Sequence, residues 1–321
     1  MPASGKGGQQ RFTTPLQTRI LGSPLAARVG VMHNDRHNTG LGVSYALATS
    51  LVASTAAACA KYLSGSLSPW LIVWCQYGLC TLLTLPWLLR LGPGGLRTQR
   101  PGLHLIRSLG GWMGFTTYYL ALPFIALADA SVLRSAAPLW VPLIVFIWLR
   151  ERIPTVRWVA LLCGFVGVLL VLKPDAGNVN PGHLLGMLAG VGLAISMATT
   201  RALSASEPAA RVLFYYFFIS FIAATPMGLL HLTPIPATLW PALLYVGLSI
   251  FLTMVLYNRA YSLAPTSVIA PLGYVAVPAA AVIDWLFWGH LPGALMLAGC
   301  TLIILSGIFA VTLRGRSQGD H

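Results

Sequence analysis

Apolar residues in this chain gather into ten long stretches separated by charges and turn residues. They lie at about 41–60, 69–89, 103–122, 127–149, 156–172, 183–200, 212–230, 239–258, 265–288 and 293–313. A helix rises 1.5 Å per residue, so roughly 20 apolar residues cross the hydrocarbon of a bilayer. The pattern predicts an all-α integral membrane protein with ten transmembrane helices, here spans 1 to 10. Ten spans consume about 200 residues, leaving short loops and no large soluble domain.

Composition excludes the soluble classes. Of 321 residues, 56% are hydrophobic and only 8% charged, and the mean hydropathy is +0.75. A water-exposed surface normally needs about 25% charged residues, so a soluble enzyme is ruled out. The five cysteines lie inside apolar runs and none forms C-x-x-C. They read as buried reduced thiols, and no metal site is expected.

The few charges are lopsided, with 20 Lys and Arg against 7 Asp and Glu. Their placement explains the imbalance. With the N-terminus in the cytoplasm, that side holds five basic residues of the leader, Arg90, Arg97, Arg100 and Arg107 around loop 2–3, and Arg150, Arg152 and Arg157 around loop 4–5. It also holds Arg201 and Arg211 at loop 6–7, Arg259 at loop 8–9, and Arg314 and Arg316. Seventeen basic residues thus face Lys61 and Lys173 on the opposite side, which is the positive-inside bias. Topology accounts for the charge, so nucleic acid is not a partner; the lipid bilayer is. Residues 1–40 read as a disordered basic cytoplasmic tail, an organellar transit peptide being the alternative, and 315–321 as a second cytoplasmic tail.

The chain also repeats itself. A shift of 139–140 residues brings Gly42 onto Gly182, Lys61 onto Arg201, Pro86 onto Pro226, Tyr118 and Ala121 onto Tyr257 and Ala260, Pro138 onto Pro278, and Gly167 onto Gly307. Five spans per copy is an odd number, so the copies, 41–173 and 181–314, cross the membrane in opposite senses. Two inverted five-helix repeats are the architecture of many secondary transporters, whose sites lie at the repeat interface.

Segment 118–173 resembles the EamA-type half of the drug/metabolite transporter superfamily. It carries the Tyr118–Ala121 segment, Pro138 within the fourth helix, Glu151 closing it, and Gly164 and Gly167 in the fifth. The second copy matches at Tyr257, Ala260, Pro278 and Gly307, but His290 stands where the family usually has Glu. The resemblance implies ten helices, both termini cytoplasmic, and a cavity lined mainly by spans 1, 3, 4, 6, 8 and 9. It further implies a small-molecule substrate among amino acids and derivatives, nucleotide-like or vitamin-like compounds, in what reads as a bacterial inner membrane. No cofactor is implied.

Within this frame Arg134 has no topological explanation. It lies inside span 4, about 6 Å from the midplane at helical rise. A charge there costs roughly 2.5–3.5 kcal/mol on insertion scales, so it must face a cavity or a partner. Two readings stand: a fork for a substrate carboxylate or phosphate, or an internal salt bridge or snorkelling side chain. Ser131, Arg134, Ser135 and Pro138 share one helix face, and Tyr274 is the repeat mate of Arg134. Trp112, Thr116 and Tyr119 on span 3, with Phe115, form an aromatic–hydroxyl face, and Tyr245, Ser249, Thr253 and Tyr257 recur every four residues on span 8. Such stripes suit an organic ligand and equally suit helix packing. Asp129 and Asp284 are candidates for ion pairing or proton coupling, with counter-substrate exchange the other source of drive.

The expected activity is secondary active transport of a small polar organic metabolite by alternating access. A non-transporting scaffold or channel is the alternative; an intramembrane enzyme is not expected, since no H-E-x-x-H occurs. The sequence leaves the oligomeric state open. The charge bias makes a topology prediction. Alkaline phosphatase fused within residues 65–68 should be active in a bacterial host and inactive when fused after Arg316. The reverse pattern would sink the assigned orientation.

Overall fold

The computed structural model describes residues 39–90, 94–149, 155–172, 180–204, 206–264 and 266–316. The basic leader and Glu151 lie outside the described residues. The described chain from Thr39 onward forms one compact unit and holds no strand. Its helices are α1 (Thr39–Ser64), α2 (Pro69–Leu89), α3 (Pro101–Ala121), α4 (Leu127–Ser135), α5 (Ala137–Leu149) and α6 (Thr155–Leu172). There follow α7 (Pro181–Ser204), α8 (Ala209–Leu230), α9 (Trp240–Leu263), α10 (Thr266–Leu272), α11 (Ala276–Trp288) and α12 (Ala294–Arg316). Every predicted apolar stretch is helical, but the fourth and ninth are broken. Among the described residues, six helical stretches are long and apolar enough to cross a membrane: Thr39–Ser64, Pro69–Leu88, Leu127–Ile144, Pro181–Ser204, Ala209–Leu230 and Ala237–Leu263. Shorter apolar pieces occupy Leu161–Val171, Gly273–Trp288 and Ala294–Ser306. All-helical structure is what lipid demands, because hydrocarbon offers the backbone no hydrogen bonds.

Both breaks have a proline as their cause. Pro138 cannot donate to the carbonyl of Arg134, and Pro278 cannot donate to that of Tyr274. The chain turns at Ala136 in the first case and through a single 3₁₀ turn, Gly273–Val275, in the second. Neighbouring helices cover the disturbed backbone. On α1, Ser50 Oγ donates to the Leu272 carbonyl at 2.9 Å and Ser54 Oγ to the Ala276 carbonyl at 2.9 Å. On α7, Gly190 brings its bare Cα against the other break, where an added Cβ would sit 2.7 Å from the Leu133 carbonyl.

The helices pack in four main pairs: α3 on α7, α1 on α9, α6 on α12 and α2 on α8. The α3–α7 pair is the tightest. A Cβ on Gly192 would lie 2.5 Å from the Gly114 nitrogen and 2.7 Å from the Gly110 carbonyl, so the two backbones nearly touch. Such small-residue contacts replace the hydrophobic drive that lipid removes.

A buried ion pair ties α1 to α11. Lys61 Nζ stands 3.1 Å from Asp284 Oδ1, with the carboxylate fully buried. The amide of Ala128 donates to Asp284 Oδ2 at 3.3 Å, and His290 Nδ1 lies 3.3 Å from Oδ1. Lys61 also sits 4.9 Å above the Trp288 ring. This cluster joins the end of α1, the start of α4 and the end of α11.

Two stability outcomes follow from these contacts. Gly192→Ala should lose about 1–3 kcal/mol by overpacking, seen as a lower melting temperature in detergent. Gly293→Ala, where a Cβ meets nothing within 4 Å, should melt like the parent; equal melting of both variants would refute the close-approach argument. Lys61→Met should cost about 3–5 kcal/mol by stranding the carboxylate, and adding Asp284→Leu should restore most of it. A double variant no more stable than the single would show that the pair carries no such coupling.

Candidate functional site

The two breaks concentrate unusual chemistry at the centre of the unit. Arg134 occupies the last turn of α4, next to the turn at Ala136. Its Cζ lies 4.3 Å from the Phe115 ring centroid and 5.0 Å from that of Tyr118, both on α3. The rings hold the guanidinium by cation–π attraction. Its Nε is buried and has no hydrogen-bond acceptor. Asp284, a candidate for ion pairing or proton coupling, does not pair with Arg134; its carboxylate is taken by Lys61.

Arg134 lines a cavity of about 50 Å³ with Arg107, Gly111, Gly114, Phe115, Leu193, Ser196, Tyr216 and Met254. These residues come from α3, α4, α7, α8 and α9. Arg107, which the sequence places with the basic residues around loop 2–3, lies in the second turn of α3 and is only 5% exposed. Its Nη1 donates to Ser196 Oγ at 2.9 Å and its Cζ lies 4.1 Å over the Tyr216 ring. The spacing Arg107, Gly111, Gly114 puts the guanidinium on the same α3 face as glycines, a signal that was available in the sequence. Among the described residues no carboxylate lines the cavity. A small volume walled by aromatic rings, with two guanidinium groups and no acid, is suited to binding an anion.

The other predicted residues distribute around this centre. Ser131 Oγ and Tyr118 Oη share a hydrogen bond at 2.9 Å behind Arg134. Ser135 is half-buried on the same turn of α4. Trp112 Nε1 and Thr116 Oγ1 on α3, and Tyr274 Oη at the second break, are buried without hydrogen-bond partners. Tyr119 turns toward α2 and donates to Gln76 Oε1 at 2.7 Å. The four-residue series on α9 does not keep to one face. Each step of four advances about 400°, so the series drifts by about 40° per step. Ser249 is buried and donates to its own helix at the Val246 carbonyl, 2.8 Å, and Thr253 does the same to Ile250 at 2.8 Å. Tyr245 and Tyr257 are exposed, the first bonded to Thr55 at 2.6 Å and the second to Tyr261 at 3.0 Å. From α9 it is Met254 that reaches the cavity. Asp129 lies 3.8 Å from His183 Nε2.

A second, wider cavity of about 400 Å³ is lined by Gly94, Arg97, Gln99, Arg100, Ser206, Glu207 and Arg211. It lies between the segment before α3 and the loop joining α7 to α8. Arg211 Nη1 pairs with Glu207 Oε2 at 2.5 Å, and Arg211 Nε donates to the Gly95 carbonyl at 2.6 Å. Burial raises the Glu207 pKa, but the hydrogen bonds from Thr98 and Arg211 outweigh it and hold the carboxyl below the usual range. Here the arginine has its acid and the loops are stitched together, unlike the inner cavity. Among the described residues no group of three or more His, Cys, Asp or Glu is placed to hold a metal ion.

Comparison with known proteins bears on the fold and the class of protein. The model of the EamA-like transporter family matches twice, at residues 40–173 and 180–312. The pseudopaline exporter of Pseudomonas aeruginosa is 31% identical over 270 residues, covering 83% of this chain and 94% of that protein. The S-adenosylmethionine uptake transporter of Rickettsia bellii is 27% identical over 87% of this chain and 96% of its own length. The riboflavin transporter of Vibrio cholerae is 29% identical over 73% and 80%. A solved crystal structure shares the fold, with a TM-score of 0.56 and 19% identity over 88% of this chain and 99% of that one. The duplicated match covers both halves of the described unit, and the chain is a membrane metabolite transporter rather than an enzyme: it belongs to the EamA-like transporter family.

Proposed function

We propose that this chain is a secondary active transporter for a small anionic or zwitterionic organic metabolite, working by alternating access between two inverted five-helix repeats. The single observation that carries the substrate's charge is Arg134, half-buried with an enclosed Nε beside a cavity that, among the described residues, no carboxylate lines. A free guanidinium at that depth is tolerated only if something compensates it during the cycle, and a carboxylate or phosphate does so by forked hydrogen bonds.

The packing supports the inverted repeat. Exchanging the two halves turns the α3–α7 pair into the α9–α1 pair and leaves α2–α8 and α6–α12 as they are. Each half also has a proline-broken helix, covered by the first helix of the other half. A cavity of about 50 Å³ is far below the several hundred Å³ of a small-molecule site, so admission of a metabolite requires the repeats to part. In this reading the Lys61–Asp284 pair closes the outer side, and the Glu207–Arg211 cluster lies at the cytoplasmic mouth. Trp112, Thr116, Ser131, Ser135 and Tyr274 are the polar residues assigned to the substrate path with Arg134, and Tyr119, Tyr245, Ser249, Thr253 and Tyr257 join it only if α3 and α9 rotate. Both termini lie in the cytoplasm of a bacterium, with the spans in its inner membrane. Asp129 and Asp284 are the acids for any proton coupling.

The test is untargeted uptake. Proteoliposomes are exposed to a bacterial metabolite extract and their contents read by mass spectrometry, with and without an imposed pH gradient. A solute that accumulates saturably supports the proposal, and Arg134→Gln should lower its uptake at least about tenfold, equivalent to about 1.4 kcal/mol. Unsaturable flux would point to a channel, and no flux of any solute to a scaffold; either outcome overturns the transporter mechanism. Saturable uptake indifferent to Arg134→Gln would overturn the role given to that residue.

A further inference from the structure

We infer that the inner cavity is a two-point anion site, that its ligand carries two acidic groups, and that Arg107 holds the second of them. The inference rests on the transporter reading for how the ligand enters and leaves, while its binding claim stands on the charges alone.

Three acids lie among the described residues, and each is engaged elsewhere. Asp284 pairs with Lys61, Glu207 with Arg211, and Asp129 faces His183. Neither Arg107 nor Arg134 has an ion-pair partner among the described residues. Both line the same small cavity. Both lie over aromatic rings, with Arg107 Cζ 4.1 Å from the Tyr216 centroid and Arg134 Cζ 4.3 Å from that of Phe115. Both keep a buried Nε with no acceptor. A ring face holds a guanidinium by cation–π attraction without taking up its N–H donors; Arg107 Nη1 is engaged by Ser196, and the remaining donors can form a fork on a carboxylate.

The positions add a second argument. Arg107 lies in the second turn of α3 at only 5% exposure, so packing against α7 and α8 rather than water surrounds its guanidinium. Its repeat mate at a shift of 140 is Gly247, and that of Arg134 is Tyr274. Both charges therefore come from one half of the chain and break the repeat at two places on the same cavity. Two like charges around one low-dielectric volume repel each other. A single negative group compensates one and leaves the other stranded; two negative groups compensate both. Ser196, whose Oγ accepts from Arg107 Nη1, orients the guanidinium toward the second group.

The test uses the full-length protein in detergent and a charge-graded set of probes. Succinate, glutarate and adipate are compared with their monoamides and diamides by calorimetry and thermal shift at pH 7. At the best-fitting length the dianion should bind at least about tenfold more tightly than its monoamide, and the diamide not measurably. Arg107→Gln should bring dianion and monoamide to within about twofold of each other while the monoamide's own affinity holds. Arg107→Lys should keep part of the preference, since it restores charge without the fork. If no dianion of the three lengths outbinds its monoamide in the parent protein, the inference fails, and that result does not depend on any variant folding. It fails equally if Arg107→Gln melts normally and retains the full preference. Transport separates the two readings. A bound dianion with no saturable flux into liposomes would overturn the transporter mechanism and keep the two-point site. Saturable flux of a neutral or singly charged solute, unchanged in Arg107→Gln, would do the opposite.

Discussion

The near-contact of α3 and α7 governs the rest of this structure. In lipid, two helices gain little by hiding apolar surface from each other, because the tails are equally apolar. What holds them is close packing, and only glycine lets the backbones meet as they do at Gly110, Gly114 and Gly192. The same approach sets the inner cavity. Gly111 and Gly114 leave the space, Arg107 and Phe115 flank it on α3, and Leu193 and Ser196 close it from α7. Any side chain inserted at the seam would move the two helices apart and shift Arg107 away from Ser196.

Charge placement obeys a similar constraint. Inside hydrocarbon an unpaired charge is costly, and the described chain handles its charges in two ways. Lys61 and Asp284 meet at 3.1 Å and draw in His290 and a backbone amide, so a buried carboxylate has donors on several sides. Glu207 does the same at the loop between α7 and α8 with Thr98 and Arg211. Arg107 and Arg134 are treated otherwise: aromatic rings and a serine hydroxyl stabilise them without neutralising them. That contrast separates two locked ion pairs from two guanidinium groups that have no acid beside them among the described residues.

The proline breaks connect these two constraints. A helix interrupted in the membrane exposes carbonyls that something must cover. Ser50 and Ser54 cover one break by hydrogen bonds and Gly190 covers the other by close approach. Where the break falls decides where Arg134 falls, since the residue ends the helix that Pro138 interrupts. Bent geometry, glycine packing and a free guanidinium therefore occupy one small region.

Much of this was legible from the sequence. Ten apolar stretches fixed the helical class, because hydropathy and length alone decide whether a segment can enter lipid. Arg134 stood out because a basic residue far from any loop has no other explanation, and Pro138 and Pro278 marked the breaks because a missing N–H acts locally. The rest depended on what lies across the helix interface, which no local pattern encodes. Arg107 read as a loop charge until α7 and α8 enclosed it. Asp284 read as a candidate for ion pairing or proton coupling; the fold brings it Lys61, 223 residues away in the chain. The α9 series looked like one stripe until helical drift carried Tyr245 and Tyr257 to the outside. Local chemistry determined what each segment is; only tertiary packing decided which charges meet, because distance in the chain carries no information about distance in the fold.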